Sequence, residues 1–384
     1  MKPITFILLS VSLSSLSSYG QSLAMSGDLR FTVDSTTKSQ LTSALNGFLD
    51  QKEKPNKENT FVLKSDLLAT SLLLDELKGM EKNAKLKDDH FYKPYLQDIT
   101  DISNSEFLVQ LSYIGMAENT PVLRASFKLI AEKQGDRFYF CSPLKRNTVS
   151  WKTKRSNNIT FYFKDTLDAA SAKSYAKAID LYDKKLKAPA SPIAFYFCDD
   201  LPEALQIPGI DYKADYIGKR YDDLSSQEDN QYLELNGGYN AERRFDPHDL
   251  WHARLRMVMD AGVINRPVDE GCAYLYGGSW GQSWEFVLSS FKQYAAENPT
   301  ADWLQLYIDS KNLKDKEKPI KVPYAINALI IRKIEKEKGF APVMELLACG
   351  KRETGDANYF KALEKVSGIR RADFNTAVWS LIKE

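Results

Sequence analysis

The sequence predicts an α+β protein of two domains: a helix followed by an antiparallel sheet, then a second domain with strands first and helices after. Three observations carry that expectation. A leucine-rich stretch of helical spacing, "KSDLLATSLLLDELKGMEKN", precedes three strand-like runs. A polar, asparagine-rich segment, "KRNTVSWKTKRSNN", interrupts the pattern near residue 150. Beyond it the strands "ITFYF" and "PIAFYFCDD" flank an amphipathic helix, and the chain after Asp246 reads as helical.

The first twenty residues stand apart. In "MKPITFILLSVSLSSLSSYGQS" a lysine precedes an apolar and small-residue run, and small residues flank a cut before Gln21. That is the anatomy of a secretory signal, so residues 1–20 are expected to be removed and the mature chain exported to a periplasm or the medium. The run is too short and too serine-rich to span a bilayer, which takes roughly 20 mostly apolar residues. No other segment qualifies as a transmembrane span.

Residues 21–150 form the expected first domain. An amphipathic stretch, "SQLTSALNGFLDQ", precedes the leucine-rich helix. The strands "EFLVQLSYIGM", "PVLRASFKLIAEK" and "RFYFCSPL" follow, the last two joined at Gln134, Gly135 and Asp136 by a hairpin turn. A curved sheet of the cystatin-like or NTF2-like kind fits this order. Residues 151–384 form the expected second domain, a small mixed sheet followed by a mostly helical half. In it "QYLELNGGYN" reads as a strand ended by two glycines.

Composition narrows the function. At 384 residues, 43% hydrophobic and 27% charged, the chain matches an ordinary globular protein. Its 52 Lys and Arg nearly balance 51 Asp and Glu, which leaves no basic surplus for a phosphate backbone, so nucleic acid is not an expected partner. The four cysteines, Cys141, Cys198, Cys272 and Cys349, are widely spaced in apolar contexts without a CxxC pair. They read as small buried hydrophobes rather than as a zinc site, although an exported chain would also permit pairing.

The chemistry concentrates in "FDPHDLWHARLR", which holds two of only three histidines. Residues four apart share one face of a helix, so His248 and His252 present two imidazoles to one ion. Pro247 suits the first turn and Asp246 suits the cap. A catalytic zinc takes a third protein ligand and keeps one open position. Glu270, in "RPVDEGCAYLYGG", offers that ligand, and the small residues after it would let its helix pack closely on the first. Trp251 is expected in the core, Tyr274 and Tyr276 are expected to pack or line the cleft, and His90 lacks ligand spacing.

These pieces resemble the gluzincin metallopeptidases, zincins with a HExxH helix and a glutamate ligand on the next helix, and most closely the exported bacterial peptidase MA-like proteins. "HDLWH" matches the HExxH helix, "DEGCAYL" the glutamate helix, and "VPYAINALI" a later helix; the resemblance spans roughly residues 155–384. It implies that His248, His252 and Glu270 ligate zinc. It further implies that Tyr324 hydrogen-bonds a tetrahedral oxyanion and that the strand "YLELNGGYN" lies at the sheet edge, holding an extended peptide. The GxMEN signature of the aminopeptidases in this group is missing, so exopeptidase specificity is not implied.

One position departs from the pattern. The group's general base is the glutamate after the first histidine, and Asp249 stands there. A carboxylate still accepts a proton, but it is one methylene shorter, and a displacement of about 1 Å at a catalytic group costs on the order of a hundredfold in rate. Three function classes follow. The chain is a zinc hydrolase of peptide bonds with Asp249 as base, a degenerate relative that binds peptide or protein without efficient turnover, or an exported binding protein whose histidine pair is coincidental.

Overall fold

The computed structural model describes residues 23–25, 32–214, 223–238, 245–313 and 318–384; the expected signal segment lies outside them. The protein is mixed α+β, with helices and two separate sheets. The chain divides into two compact units. Unit 1 runs to Asn147 and takes in a later segment beginning at Leu205, while unit 2 comprises Thr148–Ala204 and the C-terminal remainder. A single cut at 150 therefore misses the return of the chain to unit 1. Among the described residues no helix is long and apolar enough to cross a membrane.

In unit 1 the strand β1 (Ala24–Met25) precedes the helices α1 (Ser35–Asp50) and α2 (Leu67–Leu77). The sheet then runs β2 (Lys93–Asp101), β3 (Glu106–Ala117), β4 (Thr120–Gln134) and β5 (Arg137–Cys141), each antiparallel to the last. Alternation puts Phe107, Val109, Leu111 and Tyr113 of β3 into the core. Leu41, Leu45 and Phe48 of α1 and Leu72, Leu73 and Leu77 of α2 are buried too, with Phe48 against Phe140 at 5.1 Å between ring centroids. Each such side chain contributes about 2 kcal/mol of transfer free energy. The sequence pattern does not reveal β2, because a bulge between Leu96 and Asp98 breaks its period of two.

Unit 2 begins after the short helix α3 (Leu144–Asn147) with β6 (Lys152–Ser156), β7 (Ile159–Phe163), α4 (Ala169–Leu186) and β8 (Ile193–Phe197). Ala172, Tyr175, Ile179, Tyr182 and Leu186 form a buried stripe on α4 at intervals of three and four. Past α5 (Leu201–Gln206) the chain returns to unit 1, within which the strand β9 (Ile210–Lys213) pairs with β4. β10 (Asp223–Glu228) and β11 (Gln231–Asn236) then complete the second sheet, in the order β10, β11, β8, β7, β6. Its three central strands are parallel and its edges antiparallel. β11, expected at the edge, is interior. The edge belongs to β10, whose polar "DLSSQE" gives no apolar alternation to read.

The helical half follows as α6 (Pro247–Arg256), α7 (Arg266–Gly277), α8 (Trp284–Glu297), α9 (Trp303–Ile308), α10 (Val322–Lys338), α11 (Ala341–Leu347), α12 (Ala357–Ser367) and α13 (Phe374–Lys383). Every residue from Val322 to Ile331 is buried, which makes α10 the central helix. Gly271 lets α7 approach it: a Cβ there would lie 2.6 Å from the Cβ of Asn327. Gly277 does the same toward α6, where a Cβ would meet the His248 nitrogen at 2.4 Å. The small residue that brings the glutamate helix against the histidine helix is thus Gly277, whereas Gly271 faces α10.

Candidate metal centre

The site begins with the start of α6. The Asp246 side chain accepts from the His248 amide at 2.9 Å, and Pro247 occupies the first helical position. The Tyr182 hydroxyl donates to the Pro247 carbonyl at 3.0 Å and ties this end to α4. Farther along α6, the fully buried Arg254 donates from Nε to Asp183 at 2.7 Å. With both ends anchored, the imidazoles of His248 and His252 are held against α7.

Both rings are gripped at Nδ1. That of His248 lies 2.8 Å from the Gly278 carbonyl, and that of His252 lies 2.8 Å from Oδ1 of Asp269. The same Asp269 oxygen accepts from Nε1 of Trp251 at 3.1 Å. A carbonyl and a carboxylate only accept, so each Nδ1 carries a proton and donates it. Both Nε2 atoms are then turned toward each other, and they stand 3.2 Å apart. At that separation the two nitrogens can share a proton or a metal ion.

The surroundings supply the reason for a cation. Oε2 of Glu270 lies 3.5 Å from Nε2 of His248, and Asp249 forms a group with the two histidines in which the ligand atoms fall within 4.8 Å of one another. Burial opposes charge on His248. The Glu270 carboxylate and the Gly278 carbonyl, together with the charges of Glu270 and Asp249, outweigh it and raise the imidazole to about 9. Burial likewise opposes charge on Glu270, and its hydrogen bond with His248 and the nearby positive groups hold the carboxyl below its ordinary value. A proton or a metal ion satisfies this arrangement. Two imidazole nitrogens with carboxylate oxygen, each imidazole steadied from behind, form a donor set that suits a divalent transition metal.

Tyr324 sits in the first turn of α10, 9% exposed, edge-on to Tyr274 with ring centroids 5.6 Å apart. Burial, then the Glu270 charge, pushes its hydroxyl up to about 12 against the opposing pull of Arg266. It is therefore a protonated donor at neutral pH. Tyr274 packs between His248 and Tyr324, and Tyr276 donates to Glu335 at 2.7 Å, away from the histidines. Trp251 is fully buried, as expected of a core residue. His90 lies in unit 1 and is exposed. The four cysteines are free, and all but Cys349 are buried.

Sequence reasoning brought His248, His252, Asp249 and Glu270 forward, and they lie together on α6 and α7. It missed Asp269, Gly278 and Arg266. The available signals were the acidic doublet Asp269 and Glu270 on one helix, and Arg266 one turn before Glu270. No protein-family model matches the chain, and no curated protein does.

Proposed function

We propose that this chain is an exported zinc-dependent hydrolase of peptide bonds, with His248, His252 and Glu270 as ligands and Asp249 in place of the usual glutamate base. The observation that carries the reading is the pair of Nε2 atoms facing each other at 3.2 Å, beside the Glu270 carboxylate. Two imidazoles and a carboxylate are a common ligand set for catalytic zinc. When bound, zinc supplies Lewis acidity, polarising a carbonyl and lowering the pKa of water toward about 7. Asp249 is exposed at the mouth of the group and takes up the proton of the attacking water. Tyr324 donates its hydroxyl proton in a hydrogen bond to the oxygen on which charge develops. Export rests on the N-terminal segment of residues 1–20.

A second reading has its own observation. The tight metal-ligand group consists of His248, Asp249 and His252, so Asp249 is close enough to act as a ligand instead of a base. The chain would then hold a metal and bind peptide or protein without turnover.

One substitution separates the two. Quenched-fluorescent peptides incubated with the zinc-loaded protein should be cut slowly, and Asp249→Glu should raise the rate, by up to about a hundredfold if reach limits it. No cleavage by either form would sink the hydrolase and favour the binding protein.

A further inference from the structure

Two cations flank Tyr324, and neither is needed to hold a metal. Arg266 opens α7 one turn before Glu270, and its Nε donates to Oε1 of Glu270 at 3.3 Å. Tyr324 lies close enough to the guanidinium for the two side chains to interact. Lys321, the residue before α10, holds its Nζ 5.3 Å from the Tyr324 ring centroid. The two positive groups thus stand near the same tyrosine, one from the start of α7 and one from the cap of α10.

An exposed arginine paired with a glutamate one turn away is commonly a weak surface pair. Here the acceptor is different. Glu270 is only 14% exposed and its other oxygen faces His248, while the Arg266 side chain is 75% exposed. A guanidinium carries five N–H donors in a planar fork, and the bond to Glu270 leaves most of that fork open to solvent. A planar fork fits a carboxylate with two parallel hydrogen bonds. A divalent ion held by the histidines would add positive charge to the same mouth, and the field there would draw anions.

We propose that Arg266 and Lys321 form a carboxylate-accepting rim beside Tyr324, so that the substrate is a peptide with a negative charge close to the bond presented to the metal. The carboxylate belongs to an acidic side chain or to a free C-terminus. This inference rests on the reading of α6 and α7 as a metal centre.

The test is calorimetric titration of the mature full-length protein loaded with zinc, with zinc stoichiometry measured on the same sample. Three probes are used: acetyl-tetraalanine amide, the same peptide with one alanine replaced by glutamate, and acetyl-tetraalanine with a free carboxylate. At least one carboxylate peptide should bind about tenfold tighter than the neutral one, the worth of a charge-assisted hydrogen bond. Preference for the glutamate peptide assigns the rim to acidic side chains, and preference for the free acid assigns it to C-termini. Measured at saturating zinc, with occupancy checked for each variant, Arg266→Gln should remove the preference, Arg266→Lys should keep part of it, and Lys321→Gln should reduce it. Equal affinity for all three peptides with zinc in place overturns the rim but not the metal centre. A preference that survives Arg266→Gln does the same. Failure of the protein to take up zinc overturns both.

Discussion

Two glutamates of unit 2 have little exposure, Glu270 on α7 and Glu234 on β11, and burial acts on both in the same sense with opposite outcomes. Glu234 is 4% exposed and accepts from the Tyr175 hydroxyl at 3.0 Å and from the Asn236 amide at 3.1 Å. These donors are neutral. Desolvation dominates, the charge of Asp223 adds to it, and the carboxyl rises to about 8. Glu270 faces His248, His252 and Arg266, and it stays below its ordinary value. Hydrogen bonds from neutral groups do not make a buried carboxylate comfortable with its charge, whereas imidazoles and a guanidinium do. The first cluster is a closed polar knot in the core. The second gathers imidazole and carboxylate ligand atoms within metal-binding distance of one another on α6 and α7.

The comparison is sharpened by substitutions that remove one charge and keep the shape. Asp269→Asn leaves the side chain its size but weakens the grip on His252 Nδ1 and Trp251. Loss of such an outer partner lowers metal affinity by about 10- to 100-fold. Competition for zinc with a chromophoric chelator would measure this, and an unchanged affinity would show that Asp269 supports the fold rather than the ligand.

Glu234→Gln should affect the other cluster alone. The folded carboxyl is raised above its unfolded value, so it contributes stability that is fully present below about 4.5. Between about 4.5 and 8 the folded chain keeps a proton that the unfolded chain has released, and stability falls as pH rises through that window. The glutamine variant should lose this fall, changing the stability difference between pH 5 and 8 by at least about 1.4 kcal/mol, the worth of one pKa unit. Urea unfolding at the two pH values would show it. Zinc uptake should not change, and a loss of metal in Glu234→Gln would erase the distinction between the clusters.

Local patterns in the sequence carried the histidine helix and much of the first sheet. Asp246, Pro247, His248 and His252 form a cap, a first turn and a ligand pair within seven residues, and β3, β4 and β5 alternate clearly. Elements whose side chains do not divide into inner and outer faces were not legible. β6 is almost wholly exposed and its "KTKRS" reads as linker; β10 is a polar edge strand. Asp269 adjoins Glu270 in sequence, yet only the packing of α7 against α6 turns it toward His252 Nδ1. Glu234 sits in a strand otherwise read as apolar, and its partners Tyr175 and Asn236 come from a helix fifty-nine positions away and from its own strand. The pairing of β9 with β4 spans two halves of the chain, which no local pattern encodes.

The most direct measurement is the metal content of the purified mature protein after reconstitution at neutral pH, compared with His252→Ala. The account predicts about one zinc per chain and its loss in the variant, because the remaining imidazole and Glu270 leave the ion one ligand short. A chain that binds no zinc, or that keeps it without His252, would contradict the metal centre and with it the proposed hydrolysis.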